Sequence, residues 1–352
     1  MQHLKIYSKK DILSFTHIRK FETKIGEEVA VVKSVADLET SPARFVVVGI
    51  SEDIGVRANH GKGGADTAWQ PFIQSFLNVQ SNDFLQANDV VVLGYFDFSP
   101  LSEVIEGNAT NTDEKIEAYR HAVNAIDDEV ENLVRIITSY KKIPIIIGGG
   151  HNNAYPLIKG AAKGLHKAGV IQLAQINAIN LDAHSDYRPA EGRHSGNGFR
   201  YAEEDGYLQK YFMLGIHENY LPQNVWMDIV NNPFFDCITY EDIFLHGKRN
   251  FIEAIADGID FTNDTACGIE LDLDAIENVL CSATSPCGMS PIHARHYINM
   301  IASEANVAYL HICEGAAQLS DGRRDDTVGK LISYLVTDFL KAQHVEESED
   351  NL

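Results

Sequence analysis

Six residues of the types that bind hard metal ions stand in three separated segments of the chain. The segments are IPIIIGGGH, NLDAHSD and IELDLD, and the residues are His151, Asp182, His184, Asp186, Asp272 and Asp274. Side chains alternate faces along extended backbone, so the three residues of the second segment point one way, as do the two of the third. Four carboxylates carry about the charge that balances two divalent ions, and oxygen-rich ligation favours Mn²⁺ over structural zinc. The segments together predict a two-metal hydrolytic centre.

Each segment alone also has an ordinary structural interpretation. Asp-X-Asp at a strand end commonly caps a helix or joins a surface ion pair, and Gly-Gly-Gly-His commonly forms a turn. The combination is stronger because each segment closes an apolar run that is typical of a buried strand. Ligands gather at the carboxyl ends of strands in open parallel sheets. We therefore expect all six side chains to meet at one edge of a sheet.

The elements that must position these residues follow from the hydrophobic pattern. Apolar β-branched runs alternate with segments of helical period, which predicts an α/β fold with a parallel sheet covered on both faces. We expect one domain at 43–343, preceded by an appended strand-helix element at 1–42 and followed by an acidic tail at 344–352. The predicted strands are 44–50, 89–96, 143–149, 175–183, 211–216, 234–240, 267–274 and 306–314. The predicted helices are 66–78, 113–141, 155–168, 222–231, 250–257, 290–304 and 325–343.

Composition limits the class of partner. The chain has 352 residues, 45% of them hydrophobic, with a formal net charge of −21. No stretch approaches the apolar length of a membrane span, and the negative charge disfavours nucleic acid and anionic membranes. The five cysteines show no repeated close spacing, and the first residues contain no cleavable apolar leader. We expect a cytoplasmic protein that acts on a small molecule.

The three metal-binding segments also carry a resemblance. GGGH, LDAHSD and LDLD, in this order, resemble the metal motifs of the ureohydrolase superfamily, which contains arginase, agmatinase and formimidoylglutamase. The resemblance implies a three-layer α/β/α fold on a mainly parallel eight-stranded sheet and hydrolysis of an amidino or guanidino C–N bond. It also implies two Mn²⁺ ions per chain, held by the six residues, and a homo-oligomer, either a trimer or a hexamer.

Two further stretches favour the formimidoylglutamase branch. SEDIGVRANHGKGGA (51–65) resembles a segment of those enzymes, and Phe199 stands where arginases have a histidine. N-formimino-glutamate carries two carboxylates, which guanidinium groups match bidentately. We therefore expect a substrate site that contains cations, although any one arginine could instead pair with a structural aspartate. The expected substrate-binding residues are Arg57, Asn59, Arg188 and Arg200, with His217 and Asn219 as weaker candidates.

The expected chemistry uses two carboxylates beside the metals. Glu314, in LHICEG, aligns with the family glutamate that holds the cationic head of the substrate. Two Mn²⁺ ions would activate a water to attack the amidine carbon, and Asp186 would carry a proton to the leaving amine, giving glutamate and formamide. Gly150, Glu277 and Asn197-Gly198 depart from the family pattern and alter the outer support of the ligands, and Gly315-Ala316 replaces the usual Asn-Pro after Glu314. Another ureohydrolase, acting on arginine, agmatine or a guanidino acid, and a catalytically silent metal-binding member of the family remain as alternatives.

Overall fold

The computed structural model describes residues 1–349. Within them, nine strands form one sheet in the order β1-β3-β2-β4-β9-β8-β5-β6-β7. All eight predicted strands are present, and the neighbouring pairs among them are parallel. The mainly parallel α/β fold is therefore confirmed, with one strand more than expected. The strands are β1 Leu4–Ile6, β2 Phe45–Ser51, β3 Val90–Asp97, β4 Ile143–Ile147, β5 Ile176–Leu181, β6 Leu208–Ile216, β7 Phe235–Thr239, β8 Cys267–Asp272 and β9 Val307–Cys313.

The additional strand, β1, comes from the N-terminal segment. It pairs antiparallel with β3, with Leu4 opposite Phe96. The Tyr7 backbone nitrogen extends this pairing by donating to the carbonyl of Leu93 at 2.9 Å, and the Tyr7 hydroxyl accepts a hydrogen bond from the Trp69 indole at 3.0 Å. The segment 1–42, which we expected to be appended to the domain, thus supplies the edge strand of its sheet.

Helices cover both faces of the sheet. On one face α4 and α11–α13 pack in one apolar cluster, and on the other face α6–α9 pack in a second. These two clusters and the sheet between them make the expected three layers. The helices are α1 Lys9–Phe15, α2 Ile25–Glu28, α3 Ile54–Ala58, α4 Trp69–Phe76, α5 Ser99–Asn108, α6 Thr112–Ser139, α7 Ala154–Lys167, α8 Gly198–Glu204, α9 Gln223–Asn231, α10 Tyr240–Phe244, α11 Phe251–Thr262, α12 Pro291–Glu304 and α13 Val328–Glu349.

The longest helix, α6, shows why the periodic segments are helical. Its N-cap, Asn111, accepts a hydrogen bond from the backbone nitrogen of Glu114, and Val123, Ile126 and Val130 recur on the buried side at three- and four-residue spacing. At the other end of the chain, α13 extends into the segment predicted as an acidic tail, of which residues 350–352 lie outside the described part. Among the described residues, no helix has the length and apolar character needed to cross a membrane.

The middle of the sheet positions the predicted metal ligands. Strands β4, β9, β8 and β5 are neighbours in that order and run in parallel, so their carboxyl ends lie at one edge. The turns that leave these four ends carry GGGH, CEG, LDLD and LDAHSD. Residues that are far apart in sequence therefore meet at this edge.

Candidate metal centre and substrate cleft

A glycine turn after β4 delivers His151. Gly148 and Gly149 have φ angles of 88° and 76°, in the left-handed region that favours glycine. A Cβ on Gly149 would also lie 2.6 Å from the side-chain nitrogen of Asn153. The buried carboxylate of Glu52, beyond the end of β2, accepts hydrogen bonds from the Gly150 backbone nitrogen at 2.8 Å and from Asn153 at 2.7 Å. Glu52, in the segment 51–65, thus holds the GGGH turn in place.

The ring of His151 faces three carboxylates. Its Nδ1 lies 3.1 Å from Asp182 Oδ2, 2.9 Å from Asp186 Oδ2 and 3.3 Å from Asp272 Oδ2. We call these four donor atoms group A. One ring nitrogen carries at most one hydrogen, so it cannot satisfy three carboxylates by hydrogen bonding. A cation at their centre would satisfy all four atoms, and these nitrogen and oxygen donors suit Mn²⁺.

The second set of donors, group B, adjoins the first. Nδ1 of His184 lies 3.5 Å from Asp182 Oδ1 and 3.0 Å from Asp274 Oδ2. Asp182 turns one oxygen to each group, so the two groups share its carboxylate. Backbone N–H groups orient the carboxylates, since Asp182 Oδ1 accepts from His184 and Asp272 Oδ1 accepts from Asp274. The structure therefore brings all six predicted ligands together in two adjoining groups.

The electrostatics of the cluster also fit bound cations. Burial and the neighbouring charge of Asp274 raise the pKa of Asp272 well above its usual range, and burial and the charge of Asp182 raise the pKa of Asp186 to about 6. For Asp182 itself burial opposes ionisation, but hydrogen bonds from His151 and His184 lower its pKa. Divalent cations would supply the positive charge that keeps all of these carboxylates ionised.

Glu314 stands between this cluster and a cleft. Oε1 of Glu314 accepts a hydrogen bond from the His151 backbone nitrogen at 2.9 Å, and its φ angle of 61° directs the chain away from β9. Burial raises the pKa of Glu314 to about 8. With Asp186, Asp272 and Asp274, it lines a cleft of about 660 Å³. A cationic group bound at the inner end of this cleft would favour the ionised form of these carboxyl groups and pair with them.

Two of the predicted substrate-binding residues lie in the cleft wall. Asn59 and Arg188 both line it, and Nη1 of Arg188 donates to Oδ1 of Asn59 at 2.9 Å. Nη2 of Arg188 donates to Glu191 at 2.9 Å, and Asn59 donates to Ser195 at 3.3 Å. This arginine is held by polar contacts while remaining about half exposed, with 47% of its side chain accessible. It can therefore meet a carboxylate entering the cleft.

The other two predicted arginines form ion pairs away from the cleft. Arg57 pairs with Asp53 at 2.9 Å and with Glu106 at 3.1 Å. Arg200 lies over the ring of Tyr187, 3.8 Å from its centroid, and hydrogen-bonds to Asp228. Within residues 1–349, neither lines the cleft. The acidic partners of both guanidinium groups also lie outside the cleft lining, unlike Glu191, the partner of Arg188.

The loop after β6 contributes a residue other than the two predicted there. His217 stacks on Tyr240 with ring centroids 4.5 Å apart, and within the described chain neither it nor Asn219 lines the cleft. Tyr220 lines the cleft instead and stacks on the ring of His184 at 5.2 Å. No sequence motif indicates this contact, because it depends on where the loop folds back.

A buried polar network also lies behind His151, and no sequence motif predicted it. Glu270 lies on β8 two residues before Asp272, and its Oε2 is 3.4 Å from Nε2 of His151 and 2.6 Å from Nδ1 of His311. All of these side chains are buried. Strand alternation was a usable signal, because Glu270 shares the face of Asp272 and Asp274. A glutamate and a histidine within apolar strands need a partner, and here they are each other's.

Comparison with known proteins finds relatives over most of the chain. A sequence model of the arginase family matches residues 43–337. The formimidoylglutamase of Macrococcus caseolyticus is 25% identical over 294 residues, which cover 82% of this chain and 83% of the relative. That of Streptococcus pyogenes serotype M5 is 24% identical over 308 residues, 85% of each chain.

Solved structures share the fold. Trypanosoma cruzi formiminoglutamase, crystallised with Mn²⁺, superposes with a TM-score of 0.69 at 17% identity, covering 91% of this chain and 98% of the other. Formimidoylglutamase from Bacillus subtilis gives a TM-score of 0.70 at 16% identity, covering 94% of each chain. A hypothetical agmatinase from Burkholderia thailandensis gives 0.66 at 14% identity, covering 90% and 89%. At these identities the structural likeness concerns the fold.

Proposed function

Because this chain belongs to the arginase family, we propose that it is a dinuclear Mn²⁺-dependent hydrolase of N-formimino-L-glutamate, releasing L-glutamate and formamide. The observation that carries the proposal is the sharing of Asp182 by groups A and B beside a cleft that Glu314 and Arg188 line. The curated relatives with 24–25% identity are named formimidoylglutamase, which supports the choice of substrate.

The residues of the cleft divide the chemistry between them. When bound, two Mn²⁺ ions supply the positive charge that lowers the pKa of water towards neutrality. Glu314 pairs with the amidinium of the substrate and orients its carbon towards groups A and B. Addition of a water oxygen to that carbon is followed by cleavage of the C–N bond to the amino nitrogen of glutamate. Asp186, which touches both group A and the cleft, carries the proton from the water to this leaving nitrogen.

The cleft also determines how the two carboxylates of the substrate are bound. Arg188 is placed to bind one carboxylate bidentately, with Asn59 fixing the plane of its guanidinium. With Arg57 and Arg200 engaged elsewhere, the second carboxylate depends on neutral donors of the wall, which include Ser185, Ser195, Asn224 and Ser282. Hydrogen bonds from neutral donors to an anion are weaker than those from a guanidinium. Arg188 is therefore the main electrostatic contact.

A second candidate substrate follows from this same feature. A cleft with one arginine, already in contact with Glu191, also suits a guanidino acid, which has a single carboxylate. Hydrolysis of such a substrate would release urea and an amino acid from the same metal centre. The amidine and guanidine substrates differ in the released product, which makes them easy to separate.

A substrate screen tests both proposals. Purified protein loaded with Mn²⁺ is assayed with N-formimino-L-glutamate, arginine, agmatine and guanidino acids, following formamide, urea and the released amine. We expect N-formimino-L-glutamate to be hydrolysed to formamide and glutamate, with the largest kcat/KM of the substrates tested. Urea production with a larger kcat/KM from a guanidino acid would favour the second candidate. Full metal loading with no turnover on any substrate would indicate the catalytically silent family member.

A further inference from the structure

We propose that Glu270 is a positioning residue, which holds the ring of His151 with Nδ1 free to bind metal and thereby controls the ion held by group A. This inference rests on the metal centre of the proposed function. It assigns a role to the buried network behind the centre, which contains Glu270, His311 and Tyr309, none of which lines the cleft.

The contacts of Glu270 place its carboxylate directly behind His151. Oε2 lies 3.4 Å from Nε2 of His151 and 2.6 Å from Nδ1 of His311. Oε1 accepts a hydrogen bond from the Tyr309 hydroxyl at 2.6 Å. The three partners of Glu270 come from two segments, the turn after β4 and strand β9, and converge on one fully buried carboxylate.

With a cation in group A, the two nitrogens of His151 would have opposite roles. Nδ1 faces the three carboxylates of group A, and Nε2 faces Glu270. A neutral imidazole carries its hydrogen on one nitrogen and a lone pair on the other. With the hydrogen on Nε2, which lies 3.4 Å from the Glu270 carboxylate, the lone pair of Nδ1 is available to a cation in group A. Metal-binding histidines are commonly oriented in this way by a carboxylate behind the ring.

The sheet makes room for this arrangement. Gly268, on β8, lies beneath the ring of Tyr309, and a Cβ added there would come within 2.4 Å of the ring carbon that bears the hydroxyl. The absence of a side chain at this position lets the Tyr309 hydroxyl reach Glu270. The packing of β8 against β9 therefore supports the carboxylate from the side away from His151.

The histidine of group B is held differently. His184 stacks on Tyr220, and 32% of its side chain is exposed, whereas the side chain of His151 is fully buried. Tyr220 is itself 53% exposed. An aromatic face restricts the tilt of the ring but does not select which nitrogen carries the hydrogen. Loss of the Glu270 charge should consequently weaken group A and leave group B largely unchanged.

The test compares Mn²⁺ binding by the wild type and by Glu270→Gln, which keeps the shape of the side chain and removes its charge. Isothermal titration gives the two affinities, and electron paramagnetic resonance distinguishes a spin-coupled ion pair from a single ion. Glu106→Gln is the matched control, because Glu106 also accepts from a tyrosine hydroxyl, that of Tyr119, but lies outside the metal cluster. Tyr309→Phe provides a milder change at the same carboxylate.

We expect Glu270→Gln to lower one Mn²⁺ affinity by about 10–100-fold and to leave the other unchanged. At one equivalent of metal its spectrum should then be that of a single ion, and Tyr309→Phe should shift the same affinity by less. A lowered melting temperature with both affinities unchanged would overturn the positioning role, as would equal loss of both ions. Two ions in the wild type with an unaltered Glu270→Gln variant refute this inference alone. Failure of the wild type to bind two ions refutes the metal centre as well.

Discussion

Nη1 of Arg188 donates to Oδ1 of Asn59 at 2.9 Å, joining two stretches of chain that are 129 residues apart. One stretch follows the last ligand of the LDAHSD motif, and the other belongs to the segment at 51–65 that resembles formimidoylglutamases. Their contact lies in the wall of the cleft. Because the amide fixes the plane of the guanidinium, a substrate carboxylate meets an arginine that has little orientational freedom left to lose.

Replacing Arg188 with methionine should weaken substrate binding. Methionine approximately keeps the length of the side chain and removes its charge. A charge-assisted contact with a carboxylate is worth about 1.5–3 kcal/mol, so KM for N-formimino-L-glutamate should rise by about one to two decades. Since the contact is the same in the ground and transition states, kcat should change little. Steady-state kinetics at full Mn²⁺ loading measures both quantities.

Arg200→Met is the matched control for this variant. Arg200 contacts Tyr187 and Asp228 outside the cleft, so its loss should reduce thermal stability without raising KM. An unchanged KM for Arg188→Met would contradict the assigned role of Arg188. A rise for Arg200→Met as large as that for Arg188→Met would show that the effect is general to this region.

Removal of Asp274 should abolish most turnover through loss of one metal ion. Asp274→Ala removes a charge and a donor atom from group B, while the four donors of group A stay in place. We expect metal content to fall from two ions to one per chain, with nearly complete loss of kcat. Elemental analysis and activity in metal-defined buffer provide the measurement.

The exposed Asp260 offers a control of the same residue type, and Asp260→Ala should retain both ions and full activity. Wild-type turnover by Asp274→Ala with a single bound ion would show that one metal suffices. Retention of two ions would instead show that Asp274 is not a ligand.

The features that sequence could predict are those with a local signature. Eight strands and the meeting of Asp182 with Asp272 follow from apolar runs, from the two-residue alternation and from the shared edge of parallel strands. The pairing of β1 with β3 joins Lys5 to Tyr95, and nothing in a three-residue strand indicates its partner. Short strands therefore depend on tertiary context in a way that the inner strands do not.

The side chains around the centre show the same division. Arg200 follows a metal motif, but its partner Asp228 lies 28 residues further along the chain, and this contact takes the guanidinium away from the cleft. Glu270 meets Tyr309 across 39 residues. Which carboxylate pairs with which cationic side chain depends on how the helices and strands pack. The residues that determine this packing are spread over the whole sheet.

Arg193 is predicted to stabilise the turn beside His151. It pairs with Asp127 at 2.8 Å and donates to the backbone carbonyl of Asn152 at 2.7 Å, and its side chain is only 3% exposed. Arg193→Met leaves the Asp127 carboxylate buried without its counter-charge, which costs about 3–5 kcal/mol of unfolding free energy. Denaturant unfolding monitored by circular dichroism measures the change.

An exposed ion pair serves as the comparison. Lys248, paired with Asp242, is 63% exposed, and Lys248→Met should change the unfolding free energy by less than about 1 kcal/mol. Equal effects of Lys248→Met and Arg193→Met would contradict the prediction. Recovery of stability by Arg193→Met combined with Asp127→Asn would support it, since the second change removes the unpaired charge.

The metal cluster gives the chelator-treated protein an unusual dependence on pH. Burial raises the pKa of Asp186 to about 6 and that of Glu314 to about 8, so between their unfolded and folded pKa values these carboxyls hold protons that the unfolded chain releases. His151 also has a raised pKa: burial opposes this shift, but hydrogen bonds to the carboxylates of group A, such as that of Asp182, outweigh it. A histidine whose pKa is higher in the folded state than in the unfolded chain stabilises the folded state at pH values below its unfolded pKa. This stabilisation is lost as the pH rises through its folded pKa. The carboxyl and histidine contributions therefore have the same sign.

We predict that the melting temperature of the chelator-treated protein falls as pH rises from about 5 to about 8, since Asp186, Glu314 and His151 hold protons in the folded state that they release in the unfolded state. Burial lowers the pKa values of His194, His217 and His293, which acts in the opposite direction, and we expect the groups of the metal cluster to outweigh it. Bound Mn²⁺ replaces those protons, so the increase in melting temperature on adding Mn²⁺ should be larger at the upper pH than at the lower. Differential scanning calorimetry at both pH values, with and without Mn²⁺, measures the four melting temperatures. Asp260→Ala should reproduce the wild-type pattern, and Asp186→Asn should reduce the contrast because one of the titrating groups is gone. A chelator-treated protein that becomes more stable over this interval, or a Mn²⁺ effect independent of pH, would show that these carboxyls do not exchange protons for metal.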